Sequence, residues 1–155
     1  KRVPAQFKVF KPTCDTNAIQ GCSRDALLNS YDNTLLYTDY VLDSLIETLK
    51  NTTKYQSALW YLSDHGESTG ESGMYLHGAP YAIAPTQQTH IPMLMWLSGG
   101  YQQQFSIDDG CMRKQAGQQR FSQDNLFHTV LGMFNIATKE YQAPLDILQP
   151  CRGTS

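Results

Sequence analysis

The chain has 155 residues, of which 41% are hydrophobic and 11% aromatic. That is enough to bury a core at ordinary single-domain size, and it excludes a disordered tail or a fibrous repeat. Twelve Lys and Arg against 14 Asp and Glu give a formal charge of −2. With no basic stripe, no nucleic-acid partner is expected, and no apolar run approaches the ~18–20 residues that span a bilayer.

Lys1-Arg2-Val3-Pro4 has neither an initiator Met nor a signal peptide, and reads as the interior of a longer polypeptide. Residues 1–22 read as irregular. Ser23 is a plausible N-cap for a helix over about 24–50, where Leu28, Tyr31, Leu35, Leu42, Leu45, Ile46 and Leu49 recur at helical spacing. Ser57-Ala58-Leu59-Trp60-Tyr61-Leu62-Ser63 reads as a strand buried on both faces, as in a parallel sheet. Residues 66–90 read as a long loop, a length that is usually functional. Ile91 to Ser98 is a second strand, with Pro92 near its start. Residues 101–120 are Gln-rich and read as a weakly structured surface excursion. Ser122 caps a last helix over about 123–134, with Leu126, Val130, Leu131 and Phe134 on one side; the tail reads as irregular, with a short turn near Asp146. Together these are part of an α/β layered fold, its further strands expected upstream of Lys1.

The four cysteines form no CxxC pair, which disfavours a zinc ribbon or a thioredoxin-like site. Their even number fits two disulfides in an oxidising compartment. Three connectivities are open; proximity favours Cys14–Cys22 and Cys111–Cys151.

The sharpest chemical feature is Ser63-Asp64-His65-Gly66-Glu67-Ser68, at the C-terminal end of the first strand. Ligands collect outside such strand ends in open α/β sheets. A carboxylate beside an imidazole suits Zn²⁺ or Mn²⁺. Gly66 would permit the turn that makes Asp64 and His65 converge. The plainer alternative is a strand-to-loop junction at which Asp64 caps backbone amides. His77, twelve residues on, could donate to a phosphate or complete a metal shell. His90 could lie near the same sheet end, His128 reads as a satisfied helix histidine, and Glu67 and Glu71 are acid–base candidates. The sequence holds no P-loop, GxGxxG, GxSxG or HExxH.

The run Ser63-Asp64-His65-Gly66-Glu67-Ser68-Thr69-Gly70-Glu71, followed by Tyr75-Leu76-His77-Gly78-Ala79-Pro80-Tyr81, resembles the phosphoethanolamine transferases that modify lipid A. These include the mobile colistin-resistance enzymes and belong to the alkaline phosphatase and sulfatase superfamily. The resemblance extends to Cys14 to Cys22, to Ser30-Tyr31-Asp32-Asn33-Thr34-Leu35-Leu36-Tyr37-Thr38-Asp39, and to Asp146-Ile147-Leu148-Gln149-Pro150-Cys151.

It implies a layered fold with a central, mainly parallel sheet flanked by helices. Residues 1–155 would be the C-terminal portion of a periplasmic catalytic domain, held at the inner membrane by helices outside this chain. It implies zinc on Asp64 and His65, with a Glu and a Thr from earlier in the polypeptide, and His77 against the phosphoethanolamine group. The Thr would be the nucleophile, so this chain would carry no catalytic nucleophile of its own. Phosphatidylethanolamine would be the donor, lipid A the acceptor, and a monomer the expected state. Two other readings stay open: another superfamily hydrolase or phosphoglycerol transferase, and a non-catalytic periplasmic metal-binding fragment.

Overall fold

The computed structural model describes residues 3–153. The backbone packs as two compact units. The first runs to Lys54 and includes Ala58–Trp96; the second comprises Tyr55–Ser57 and the chain from Leu97 onward. Among the described residues no helix is long and apolar enough to cross a membrane.

In the first unit, α1 (Arg24–Lys50) begins where Ser23 Oγ accepts from the Ala26 amide at 3.2 Å. Asp25 in its first turn and Lys50 in its last complement the helix dipole. Its apolar stripe is not its deepest part. Ala26 is 6% and Asn33 2% exposed, whereas Leu35 and Leu45 are 46% and 47% exposed. Asn33 is buried because one amide serves three backbone groups. Its Oδ1 accepts from the Val9 and Phe10 amides, each at 3.0 Å, and its Nδ2 donates to Phe10 O at 2.9 Å. The irregular N-terminal segment is thereby fastened to α1. Phe7 adds ring contacts with Tyr37 and Tyr40, and Cys14 is bonded to Cys22.

After α1 come β1 (Ala58–Leu62), β2 (Ser68–Thr69), β3 (Tyr75–Leu76), the single turn α2 (Thr86–Thr89) and β4 (Met93–Leu97). β1 pairs with β4. The Ser98 amide bonds Ser57 O, and the Ser63 amide bonds Pro92 O. As one strand ascends the other descends, so this pair runs antiparallel. Every β1 residue is half-buried. Its unbroken apolar run therefore reports similar burial of both faces and not strand direction. The stretch read as one long loop is more organised than its composition implies. β2 and β3 form an antiparallel hairpin, with Ser68 opposite Leu76 and Thr69 opposite Tyr75. Gly70 and Gly73, at φ +119° and +75°, make the turn.

In the second unit, the stretch read as a weakly structured excursion holds two helices, α3 (Gly99–Gln104) and α4 (Asp109–Gln118). Their caps override the missing apolar stripe. Ser98 Oγ accepts from the Tyr101 amide at 3.2 Å, and Asp108 Oδ1 from Gly110 and Cys111 at 2.8 and 3.2 Å. α5 (Asp124–Met133) also departs from the sequence reading. His128, Thr129 and Gly132 are its buried positions, while Leu126, Val130 and Phe134 are 37%, 38% and 71% exposed. The tail explains this inversion. The Gln142 amide donates to His128 Nδ1, and the Ile147 amide to Thr129 Oγ1. Asp146, 2% exposed, accepts from Tyr141 Oη at 2.7 Å and from the Leu148 amide at 2.9 Å. Burial and the Asp146 carboxylate push the Tyr141 phenol up to about 12. Cys111 on α4 is bonded to Cys151, holding the tail over a core of Tyr101, Ile107, Ile147 and Leu148.

Candidate metal centre

β1 ends at Leu62, and the chain bends at Asp64 before reaching β2. From His65 to Ser68 burial alternates: Gly66 and Ser68 are buried, while His65 and Glu67 are not; Asp64, just before them, is exposed. Period-2 alternation sends His65 and Glu67 to one side and Gly66 and Ser68 to the other, while a bend at Asp64 takes that residue out of the pattern. The hairpin register then brings in the third group. Continued one step beyond Ser68 and Leu76, it sets Glu67 opposite His77.

The side chains follow this frame. His77 Nδ1 lies 3.1 Å from Glu67 Oε2. The His65 and His77 rings are stacked, with centroids 3.7 Å apart and planes at 26°. His65, Glu67 and His77 offer ligand atoms that all lie within 4.8 Å of one another. Asp64 sits beside this group. Its Oδ1 accepts from the His65 amide at 3.1 Å, and its Oδ2 is 3.7 Å from His65 Nε2. The Asp64 side chain is 87% exposed, His65 41%, His77 49% and Glu67 26%. His90, exposed at the end of α2, is not in the cluster. His128 lies in the second unit, held by its backbone partner.

Hydrogen bonding assigns the ring nitrogens. His65 Nδ1 is 2.9 Å from Gly66 O. A carbonyl can only accept, so Nδ1 carries a proton, and Nε2 is the ring nitrogen left facing Asp64. The same reasoning at His77 puts a proton on Nδ1 toward Glu67 and leaves Nε2 for another partner. A ring nitrogen fixed by a carbonyl or carboxylate is the usual support of a metal-binding histidine. Glu67 Oε1 is buried and has no hydrogen-bond partner. An orphaned carboxylate oxygen among two imidazoles suits a cation. Burial, then the Glu67 charge, pushes the Tyr31 phenol on α1 up, so that it stays protonated nearby.

Glu71 has a different job. Its Oε2 accepts from the Thr69 amide at 2.6 Å and its Oε1 from Thr69 Oγ1 at 3.0 Å, with Arg24 3.6 Å away. The Thr69 amide above all, with Arg24 assisting, holds this carboxyl below the usual range. It closes the hairpin turn and is a poor proton donor. Gly66 also differs from its sequence reading. Its φ is not positive, so conformational freedom is not what the site requires. A Cβ there would overlap the Gln87 carbonyl. Glycine is needed because α2 packs directly on the loop. Gln88, which sequence reasoning passed over, takes the Gly66 amide on its carbonyl at 3.0 Å.

The sulfatase family profile matches residues 1–136. The chain is 57% identical to phosphoethanolamine transferase EptA of Salmonella typhimurium, over 99% of this chain and 28% of that protein. It is similar to the solved soluble domain of lipooligosaccharide phosphoethanolamine transferase A from Neisseria meningitidis, at 48% identity and TM-score 0.95, covering 99% of this chain and 46% of that one. It is also similar to the C-terminal periplasmic domain of phosphoethanolamine transferase EptC from Campylobacter jejuni, at 50% identity and TM-score 0.86, covering 100% and 48%. The chain thus spans under a third of the curated relative and about half of each solved domain. The match runs through β1 to β4 and the His65–Glu67–His77 loops, and the chain belongs to the sulfatase family.

Proposed function

We propose that this chain is the C-terminal portion of the catalytic domain of a zinc-dependent phosphoethanolamine transferase. It would work at the periplasmic face of the Gram-negative inner membrane, held there by helices outside the chain. The observation that carries the reading is the convergence of His65, Glu67 and His77, with Asp64 beside them, just beyond the C-terminal end of β1. The relatives named above, 48–57% identical, are phosphoethanolamine transferases.

Asp64 and His65 would hold the zinc, together with a Glu and a Thr outside this chain. When bound, zinc lowers the cost of charge on a hydroxyl nucleophile and on phosphoryl oxygens. This chain orients the rest. The Gly66 carbonyl keeps the His65 lone pair on Nε2. Glu67 holds His77 by Nδ1, so that Nε2 can meet the phosphoethanolamine group. The Thr oxygen attacks the phosphorus of phosphatidylethanolamine, and the diacylglycerol oxygen leaves and takes a proton. A lipid A phosphate oxygen then attacks the phospho-Thr, releasing the Thr. Each transfer adds an ammonium to an anionic lipid, weakening its attraction for polycations such as colistin.

The test is a graft. This chain replaces the matching 28% of the Salmonella relative, and lipid A is weighed by mass spectrometry. Transfer is expected from the graft, with a loss of at least about 100-fold in Asp64→Ala and His65→Ala. The 155-residue chain by itself is expected to give no transfer. Full activity in Asp64→Ala, or turnover by the chain alone, would refute the assignment.

A further inference from the structure

We propose that Gln88 is the positioning residue of the His65–Glu67–His77 cluster. It fastens the two loops that carry these residues and so sets their separation.

Gln88 lies on α2, is 8% exposed, and makes three hydrogen bonds to the loops of the cluster. Its carbonyl accepts from the Gly66 amide at 3.0 Å, between His65 and Glu67. Its Nε2 donates to Ser68 Oγ at 2.9 Å, one residue after Glu67; that oxygen is on a side chain only 3% exposed. Its Oε1 accepts from the Ala79 amide at 3.2 Å, two residues after His77. The first two bonds engage the inward positions of the alternating segment, so His65 and Glu67 must face the other way. The third bond engages the strand of chain that carries His77. One buried side chain therefore spans both loops with its donor and its acceptor, and the directionality of the amide fixes which end meets which loop. The hairpin alone pairs only two residues on each strand, a length marginal in water. A second fastening is needed to hold two rings stacked at 3.7 Å. α2 is itself anchored by Gln88 N to Pro85 O at 2.9 Å and His90 N to Thr86 O at 2.7 Å.

The experiment compares Gln88→Met, which keeps the volume and removes the side-chain bonds, with Asn33→Leu. Asn33 is also a buried amide fastening two segments, but its partners are Val9 and Phe10. The milder Ser68→Ala, which removes one bond, stands in if Gln88→Met does not fold. Two readouts are taken, the ring contact on this chain and zinc binding on the graft described above. In the metal-free protein, the nuclear Overhauser contact between the His65 and His77 rings is expected in the parent and in Asn33→Leu, and lost or weakened several-fold in Gln88→Met and, to a lesser degree, in Ser68→Ala. With zinc, competition against a chromophoric chelator is expected to show about 10-fold weaker binding in Gln88→Met and an unchanged constant in Asn33→Leu. The zinc arm rests on the metal reading above and the ring-contact arm does not. A parent graft that binds no zinc would sink the metal reading while the ring contact still decides the role of Gln88. An undiminished ring contact in Gln88→Met, its absence from the parent, or an equal loss in Asn33→Leu would each overturn the proposal.

Discussion

Substituting Gly66 with Ala tests whether α2 and the metal loop are built as one unit. The added Cβ would fall inside van der Waals contact of the Gln87 carbonyl, which belongs to backbone and cannot rotate away. α2 must therefore retreat. Retreat breaks the bond from the Gly66 amide to Gln88 O, and strains those from Gln88 to Ser68 and from Ala79 to Gln88. At about 1 kcal/mol each, with a further 1–3 kcal/mol for overpacking, the cost is about 4–6 kcal/mol. A chain of this size loses about 2–4 °C of melting temperature per kcal/mol, so Gly66→Ala should melt roughly 10–20 °C lower. Hydrogen exchange should place the loss at residues 66–68, 79 and 86–90, leaving α1 protected. Gly78→Ala is the contrast. Gly78 has φ +97° and open space around it, so an Ala there meets backbone strain of about 1 kcal/mol and no clash. Equal melting of Gly66→Ala and the parent would refute the close-packing argument. Uniform loss of protection across the first unit would refute its localisation.

Glu71 and the second disulfide give two further tests. Glu71 has a depressed folded-state pKa, so its contribution to stability is present above its unfolded value, about 4.3, and is lost as the pH falls through the folded one. Glu71→Gln should melt lower at pH 7 and lose less than the parent between pH 5 and pH 3; parallel melting curves would remove Glu71 from the account. The Cys111–Cys151 bond closes a separation of 40 residues, worth about 4 kcal/mol in the chain-entropy treatment. The Cys111→Ser, Cys151→Ser pair should melt roughly 10 °C lower, with protection lost first at Ile147 and Leu148. Melting within a degree or two of the parent would show that the polar contacts of Asp146 hold the tail unaided.

Much of the frame was legible because its signals are local. Ser23 and a stripe at helical spacing marked α1 at both ends, and unbroken apolar runs marked β1 and β4. Where the reading failed, long-range polar contacts decided the outcome. α3 and α4 carry no apolar stripe, and only Ser98 and Asp108 announce them. α5 turns His128 and Thr129 inward because the tail supplies their partners, which no pattern within the helix encodes. Asn33 lies buried for the same reason. At the site, Asp64, His65 and His77 stood out because their residue types are scarce and chemically distinctive. The pairing of Glu67 with His77 depends on a hairpin register set by two residue pairs. Gln88 is an ordinary amide in a polar stretch, and it becomes visible only through its three bonds.

The two stacked histidines have different supports, and this separates their roles. His65 is fixed by the Gly66 carbonyl, which is neutral, whereas His77 is fixed by the Glu67 carboxylate. Either support can orient a metal ligand, but only the carboxylate brings charge to the ring it holds. A carboxylate can balance charge when the opposite nitrogen donates to a phosphoryl oxygen. Glu67→Gln tests the division, because the amide oxygen can still accept from His77 Nδ1 over the same 3.1 Å while the charge is gone. If Asp64 and His65 hold the zinc, its affinity in the graft should change by less than about 2-fold, and transfer should fall about 10-fold or more. If zinc affinity falls as far as transfer does, Glu67 is itself a ligand. The binding set would then be His65, Glu67 and His77, with Asp64 left outside as an exposed neighbour.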